Sequence, residues 1–129
     1  MNVLIDNSFY PKLTDFGISL KLSGEKNIIG TSPFIAPKVW IQKKYCKASD
    51  VYAFSILVYE ILMNVFAFEN CNSTQIIYKI CLKKERPIIK KKINMNYQKF
   101  IQSCWSENIN ERPTFNLICN DLKTNQSFI

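Results

Sequence analysis

Thirteen residues from Val51 to Met63 run Val-Tyr-Ala-Phe-Ser-Ile-Leu-Val-Tyr-Glu-Ile-Leu-Met, with apolar side chains on every face of the helix they would form. A helix of that kind cannot lie on a surface. Its neighbours must be folded around it, so the rest of the chain is constrained to supply a coat. The 129 residues, 47% apolar and 13% aromatic, suffice for one domain with a moderate core. The run contains Glu60 and is too short to span a bilayer, and no basic start followed by an apolar stretch opens the chain. A soluble, cytoplasmic protein that makes no membrane contact is expected.

Around this helix the sequence places smaller elements. Val3 to Ile5 and Lys12 to Thr14 are short apolar or β-branched runs separated by Asp6-Asn7-Ser8, which favours a turn, so a β-hairpin is expected. An antiparallel pair would bring Asn2, before the first strand, beside Asp15, after the second. From Ile18 to Phe34 the chain mixes Gly24, Gly30, Pro33, Ser and Thr with brief apolar pairs and reads as an irregular loop. Helical spacing then recurs over Thr74 to Leu82 and Tyr97 to Trp105, and after Pro113 through Phe115, Ile118 and Leu122. The expected fold class is mainly α with a small N-terminal β-hairpin.

Several chemistries are excluded by what the chain contains. It has no histidine, which rules out triads built on imidazole. Cys46, Cys71, Cys81, Cys104 and Cys119 are odd in number and contain no C-x-x-C pair, so neither a disulfide framework nor a zinc site is indicated, and reduced, small buried thiols are expected. Net charge is +7, and six of the ten residues from Lys83 to Lys92 are Lys or Arg. Pro87, Ile88 and Ile89 interrupt any basic helical face, and no aromatic platform accompanies the run. A solvated basic loop is therefore expected, with no nucleic-acid partner.

Four blocks stand in a fixed order: Asp15-Phe16-Gly17; Gly30-Thr31-Ser32-Pro33-Phe34-Ile35-Ala36-Pro37; Ser49-Asp50-Val51-Tyr52-Ala53-Phe54-Ser55; and Cys104-Trp105 through Glu111-Arg112-Pro113-Thr114-Phe115. In that order they resemble protein kinases of the tyrosine-kinase-like group, over nearly everything from Asn2 to about Leu122. The resemblance implies the C-terminal lobe of the kinase fold. Residues 1–17 would hold the end of the catalytic loop and the D-F-G segment, 18–40 the activation segment and 41–129 the helical lobe. With Met1 adjoining Asn2, the chain is expected to start inside the catalytic loop. The glycine-rich loop, the phosphate-pairing lysine with its glutamate, and the H-R-D base would all belong upstream.

By the same resemblance, Asn2 and Asp15 are Mg²⁺ ligands in a domain that binds ATP, and Phe16 and Gly17 fill its packing and hinge positions. Thr31 would contact the base and the substrate hydroxyl, as in serine/threonine-directed members. Asp50 would accept hydrogen bonds from the catalytic-loop backbone. Taken singly, Asn2 reads as a turn residue, Asp50 as a helix N-cap and Thr31 as a loop threonine. Three positions depart from the family pattern. Lys38 replaces a glutamate that would pair with Arg112, Ser55 replaces a helix glycine, and Asn64 stands where glycine is favoured but can take a left-handed helix end. The expected activity is ATP-dependent phosphorylation of protein Ser/Thr, with this chain alone incompetent. A protein substrate or regulatory protein, and a separate N-lobe or full-length kinase, are the partners implied. The alternative is a non-catalytic, pseudokinase-like remnant that serves as an interaction module.

Overall fold

In the computed structural model, which describes residues 2–16, 30–90 and 92–125, the apolar run forms most of a long helix flanked by shorter ones. Two strands, β1 (Val3–Ile5) and β2 (Pro11–Leu13), open the described chain. The helices follow as α1 (Pro37–Gln42), α2 (Lys47–Met63), α3 (Ser73–Ile77), α4 (Met95–Cys104) and α5 (Phe115–Thr124).

The start of α2 lies three residues upstream of Asp50. Cys46 donates its backbone N–H to the Ser49 hydroxyl at 3.2 Å, and its carbonyl accepts from the Ser49 N–H at 2.8 Å, so the first turn closes before the aspartate is reached. At the other end Asn64 takes φ 54°, the left-handed conformation expected of an asparagine that ends a helix. Val51, Tyr52, Ser55, Ile56, Tyr59 and Met63 form one fully buried stripe. The opposite side is only part-covered: Phe54, Leu57, Val58 and Leu62 are half-buried and Ile61 is exposed. The described residues therefore wrap the helix on one side and its flanks rather than all round. Ser55 stands in this stripe without leaving its hydroxyl bare, because it donates to the Tyr52 carbonyl at 2.6 Å.

Helix α4 packs along α2 and presents Phe100, Ile101 and Cys104, with Trp105 just beyond, as the periodicity predicts. Phe54 meets Phe100 and Phe115 edge-on, at 6.3 and 5.7 Å between ring centroids. Helix α5 starts two residues after Pro113, where Thr114 accepts the Leu117 N–H, and it buries Ile118 against the same core. The stretch expected as one regular helix over Thr74 to Leu82 is divided. Asn72 and Gln75 cap each other at 2.9 Å, α3 follows, and a π-helical turn over Tyr78–Leu82 completes it with Ile76 and Ile80 both inward. Helix α1, six residues across the 40/41 boundary drawn from sequence, was not legible there. Pro37 opens it and left-handed Lys43 ends it.

The expected antiparallel hairpin is present, with Val3 opposite Leu13, Leu4 opposite Lys12 and Ile5 opposite Pro11, one residue out of the register that would set Asn2 directly opposite Asp15. Its second strand begins at Pro11, one residue earlier than expected. Asp6 organises the turn: Oδ1 accepts from the Ser8 and Tyr10 N–H groups, both at 2.9 Å, while Phe9 takes φ 63°.

Candidate functional site

One step beyond the ladder, the Thr14 N–H donates to the Asn2 carbonyl at 2.9 Å. This bond fixes Asn2 opposite Thr14 and thus beside Asp15 in register. The turn at Asp6 sets that register at the far end of the hairpin. Asp15 itself sits at φ 60°, in the left-handed region that a non-glycine residue enters only at a cost, and such residues concentrate where a side chain must be aimed. Both residues are exposed. Their donor set is one carboxylate and one amide oxygen, which is hard-oxygen chemistry suited to Mg²⁺. Among the described residues no group of three or more His, Cys, Asp or Glu could hold a metal. A cation at this end would thus draw its remaining ligands from phosphate oxygens or water, the usual condition of Mg²⁺ at nucleotide sites. Phe16 follows, 66% exposed, and Gly17 lies outside the described residues.

Thr31 and Asp50 belong to the helical body. The Thr31 carbonyl accepts from the Phe34 N–H at 3.0 Å and opens a 3₁₀ turn over Ser32–Phe34 that packs on α2 and α3, while its own side chain caps nothing. Asp50 is no N-cap. It stands in the first turn of α2, exposed at the surface yet crowded enough that desolvation pushes its carboxyl pKa upward. The structure thus brings Asn2 and Asp15 to the same end of the hairpin and places Thr31 and Asp50 on or beside α2.

The region around Arg112 carries information that the sequence held only in part. Arg112 is buried. It donates through Nε to the Ser106 carbonyl and through Nη1 to the Ala48 carbonyl, both at 2.9 Å, and lies 5.3 Å from the Tyr52 ring. Its Nη2 is buried without a hydrogen-bond partner. Burial lowers its pKa first, and the charge of Arg86 lowers it further. Sequence reasoning set Lys38 as the opposing cation; the cation acting on Arg112 is Arg86, and Lys38 is half-buried on α1. Arg86 was counted only as part of the basic run. It donates to the Trp105 carbonyl at 2.9 Å, pairs with Glu107 at 2.9 Å and lies 5.5 Å from the Tyr52 ring on which Arg112 also acts. The signal was its being the one arginine among lysines, the side chain whose planar fork suits a buried pairing. Tyr52, fully buried, has its hydroxyl pushed up to about 12 by desolvation, against the pull of both guanidinium groups.

The sequence model of the protein kinase domain matches residues 1–122. A probable LIM domain-containing serine/threonine-protein kinase of Dictyostelium discoideum is 36% identical over 126 residues, covering 95% of this chain and 19% of that protein. The dual specificity protein kinase shkD of the same organism is 35% identical over 122 residues, 91% of this chain and 16% of the relative. For the dual specificity protein kinase pyk3, also from Dictyostelium discoideum, the values are 31% over 128 residues, 98% and 10%. The chain spans less than a fifth of the length of each of these relatives.

Proposed function

The chain belongs to the protein kinase domain family, and on that premise we propose that it forms part of a serine/threonine-directed kinase of the tyrosine-kinase-like group. In this reading Asn2 and Asp15 hold the metal that accompanies ATP. Residues 1–17 then form the end of the catalytic loop and the D-F-G segment, 18–40 the activation segment and 41–129 the helical lobe. The observation that supports it is the bond from Thr14 to Asn2, which brings Asn2 and Asp15 to the same, open end of the hairpin. Bound Mg²⁺ neutralises charge on the phosphates. The chain's own contribution would be positional: the hairpin brings Asn2 and Asp15 to one end, and Thr31 opens the 3₁₀ turn that packs on the helical body.

Phosphoryl transfer depends on positioning and charge neutralisation by groups from both lobes. The 129 residues assayed alone are therefore expected to transfer no phosphate to peptide with ATP and Mg²⁺, and to bind Mg²⁺ or Mn²⁺ weakly through Asp15. Radiolabel transfer that survives purification and disappears in Asp15→Ala would overturn the incompetence. A tight metal site insensitive to Asp15→Asn would overturn the placement. A non-catalytic remnant is the second reading, favoured by the unpartnered Nη2 of Arg112 and by Lys38 in place of the family's glutamate. Reading the gene upstream in frame separates them: a glycine-rich loop, V-A-x-K and H-R-D support the kinase, whereas a stop codon supports the remnant.

A further inference from the structure

At the C-terminal end of α2 an open cavity of about 260 Å³ lies between the α2–α3 connection and the segment around Pro87. Tyr59 and Met63, both buried, line it. Its apolar lining also reaches solvent, at Val65 (42% exposed), Phe66 (75%) and Ile88 (70%). Val65, Phe66 and Ile88 thus share one concavity and make a local apolar surface. The depression is held in shape by a long-range bond, because Tyr59 donates its hydroxyl to the Ile88 carbonyl at 3.1 Å.

The charge around it is mostly positive. Lys79, Arg86 and Lys90 line the cavity, and Lys83, Lys84 and Lys92 stand exposed on the segment that borders it. Lys79 and Arg86 are already engaged, with Glu85 at 3.0 Å and Glu107 at 2.9 Å. The lysines that remain face solvent, and their field attracts a negatively charged partner. Glu69 and Glu85 also line the cavity; Glu85 is neutralised by Lys79, and Glu69 repels any anion near it. A partner's negative charge must therefore be confined to the lysine side, which a peptide with a mixed sequence can do and a uniformly charged phosphate polymer cannot. A flat lipid surface cannot fill a concavity.

We propose that this surface docks an acidic peptide segment of a partner protein, with one aromatic or aliphatic side chain of that segment inserted against Phe66 and Ile88 while its carboxylates lie along Lys83, Lys84 and Lys90. The apolar anchor supplies affinity and the lysines supply rate and selectivity. The surface shares no residue with the Asn2–Asp15 pair, so it stands whether or not the chain takes part in phosphoryl transfer.

Selection of a phage library of random dodecapeptides against the full chain tests it. The expected winners combine several Asp or Glu with one large apolar residue. A synthetic winner should bind Phe66→Ser about tenfold more weakly, and Lys90→Glu about threefold more weakly at low salt with a smaller loss at high salt. Phe66 is mostly exposed and Lys90 lies on the surface, so these variants are expected to keep the fold, which matching unfolding midpoints verify. Winners without acidic residues, or binding undiminished in Phe66→Ser, overturn the proposal. So does tighter binding of a single-stranded RNA or of phosphatidylserine vesicles that is lost in the same variants. Self-association that Phe66→Ser abolishes would make the surface a contact between copies of this chain, and would overturn it as well.

Discussion

The helical body and the hairpin are held by different means. In the body, Val51, Tyr52, Ile56, Ile101, Cys104 and Ile118 are buried in one continuous core. In the hairpin, Leu4, Ile5, Phe9, Tyr10 and Leu13 are all exposed, and what fixes the chain is hydrogen bonding: the ladder, the Asp6 turn and the Thr14 to Asn2 bond. The candidate metal ligands therefore stand on the part with the least buried apolar surface. Local opening costs least where burial is small, so the site is expected to open well before the body unfolds.

Truncation separates the two regions most sharply. Ile56→Ala, in a fully buried position, is expected to destabilise the fold by about 2–5 kcal/mol, whereas Leu13→Ala, at a position 69% exposed, should fall within about 0.5 kcal/mol. Denaturant unfolding of both variants checks this, and equal losses would abolish the distinction. A second expectation concerns alkali. Burial pushes the Cys104 thiol from 9.0 up to about 11 and the Tyr52 hydroxyl from 10.0 up to about 12, so folding favours their neutral forms. Their stabilisation is complete below the unfolded values and is lost as pH rises through the folded ones. The body should lose about 2–3 kcal/mol per group between pH 9 and 12, and Cys104→Ala should remove the first part of that loss.

A smaller effect is expected of Lys38→Glu. If residue 38 stands where the family's glutamate stands, the new carboxylate meets the unpartnered Nη2 of Arg112 and raises stability by about 1–3 kcal/mol. An unchanged midpoint would show that Lys38 faces elsewhere. Smallest is Asp6→Ala, which removes the acceptor for two turn N–H groups and should cost about 1 kcal/mol, confined to the hairpin. Amide exchange at Thr14 should quicken without change at Ile56. Equal acceleration at both would mean that hairpin and body open together.

What could be read from residues alone followed the same division. Helices α4 and α5 were legible because one-sided burial imposes a period, α2 because its run is apolar on every face, and the hairpin because of its turn residues, though its register lies one residue from the expected one. Helix α1 was not, since six residues are too few for a period to show. Nor was the π turn at Tyr78–Leu82, which keeps Ile76 and Ile80 inward at a spacing that a regular helix also satisfies. The start of α2 was placed too late, at Asp50, because an aspartate marks a helix start in general, while the bond between Cys46 and Ser49 had already begun this one. That Asn2 and Asp15 come to the same end of the hairpin could be reasoned from strand geometry, but the one-residue shift that sets Asn2 opposite Thr14 could not. The two arginines around Tyr52 could not, because Arg86 lies 34 positions from Tyr52 and no local pattern joins them.

The bond from Arg112 to the Ala48 carbonyl spans 64 positions. During synthesis the first turn of α2 emerges long before the guanidinium that will hold it, a delay of roughly 3–13 s at about 5–20 residues per second. For that interval the most apolar stretch of the chain lacks its arginine, and for most of it also the α4 side chains that cover it. The vulnerable period for this sequence is thus translation itself, and slowing the ribosome between the codons for Met63 and Arg112 should lower the soluble yield more than slowing it anywhere in the hairpin.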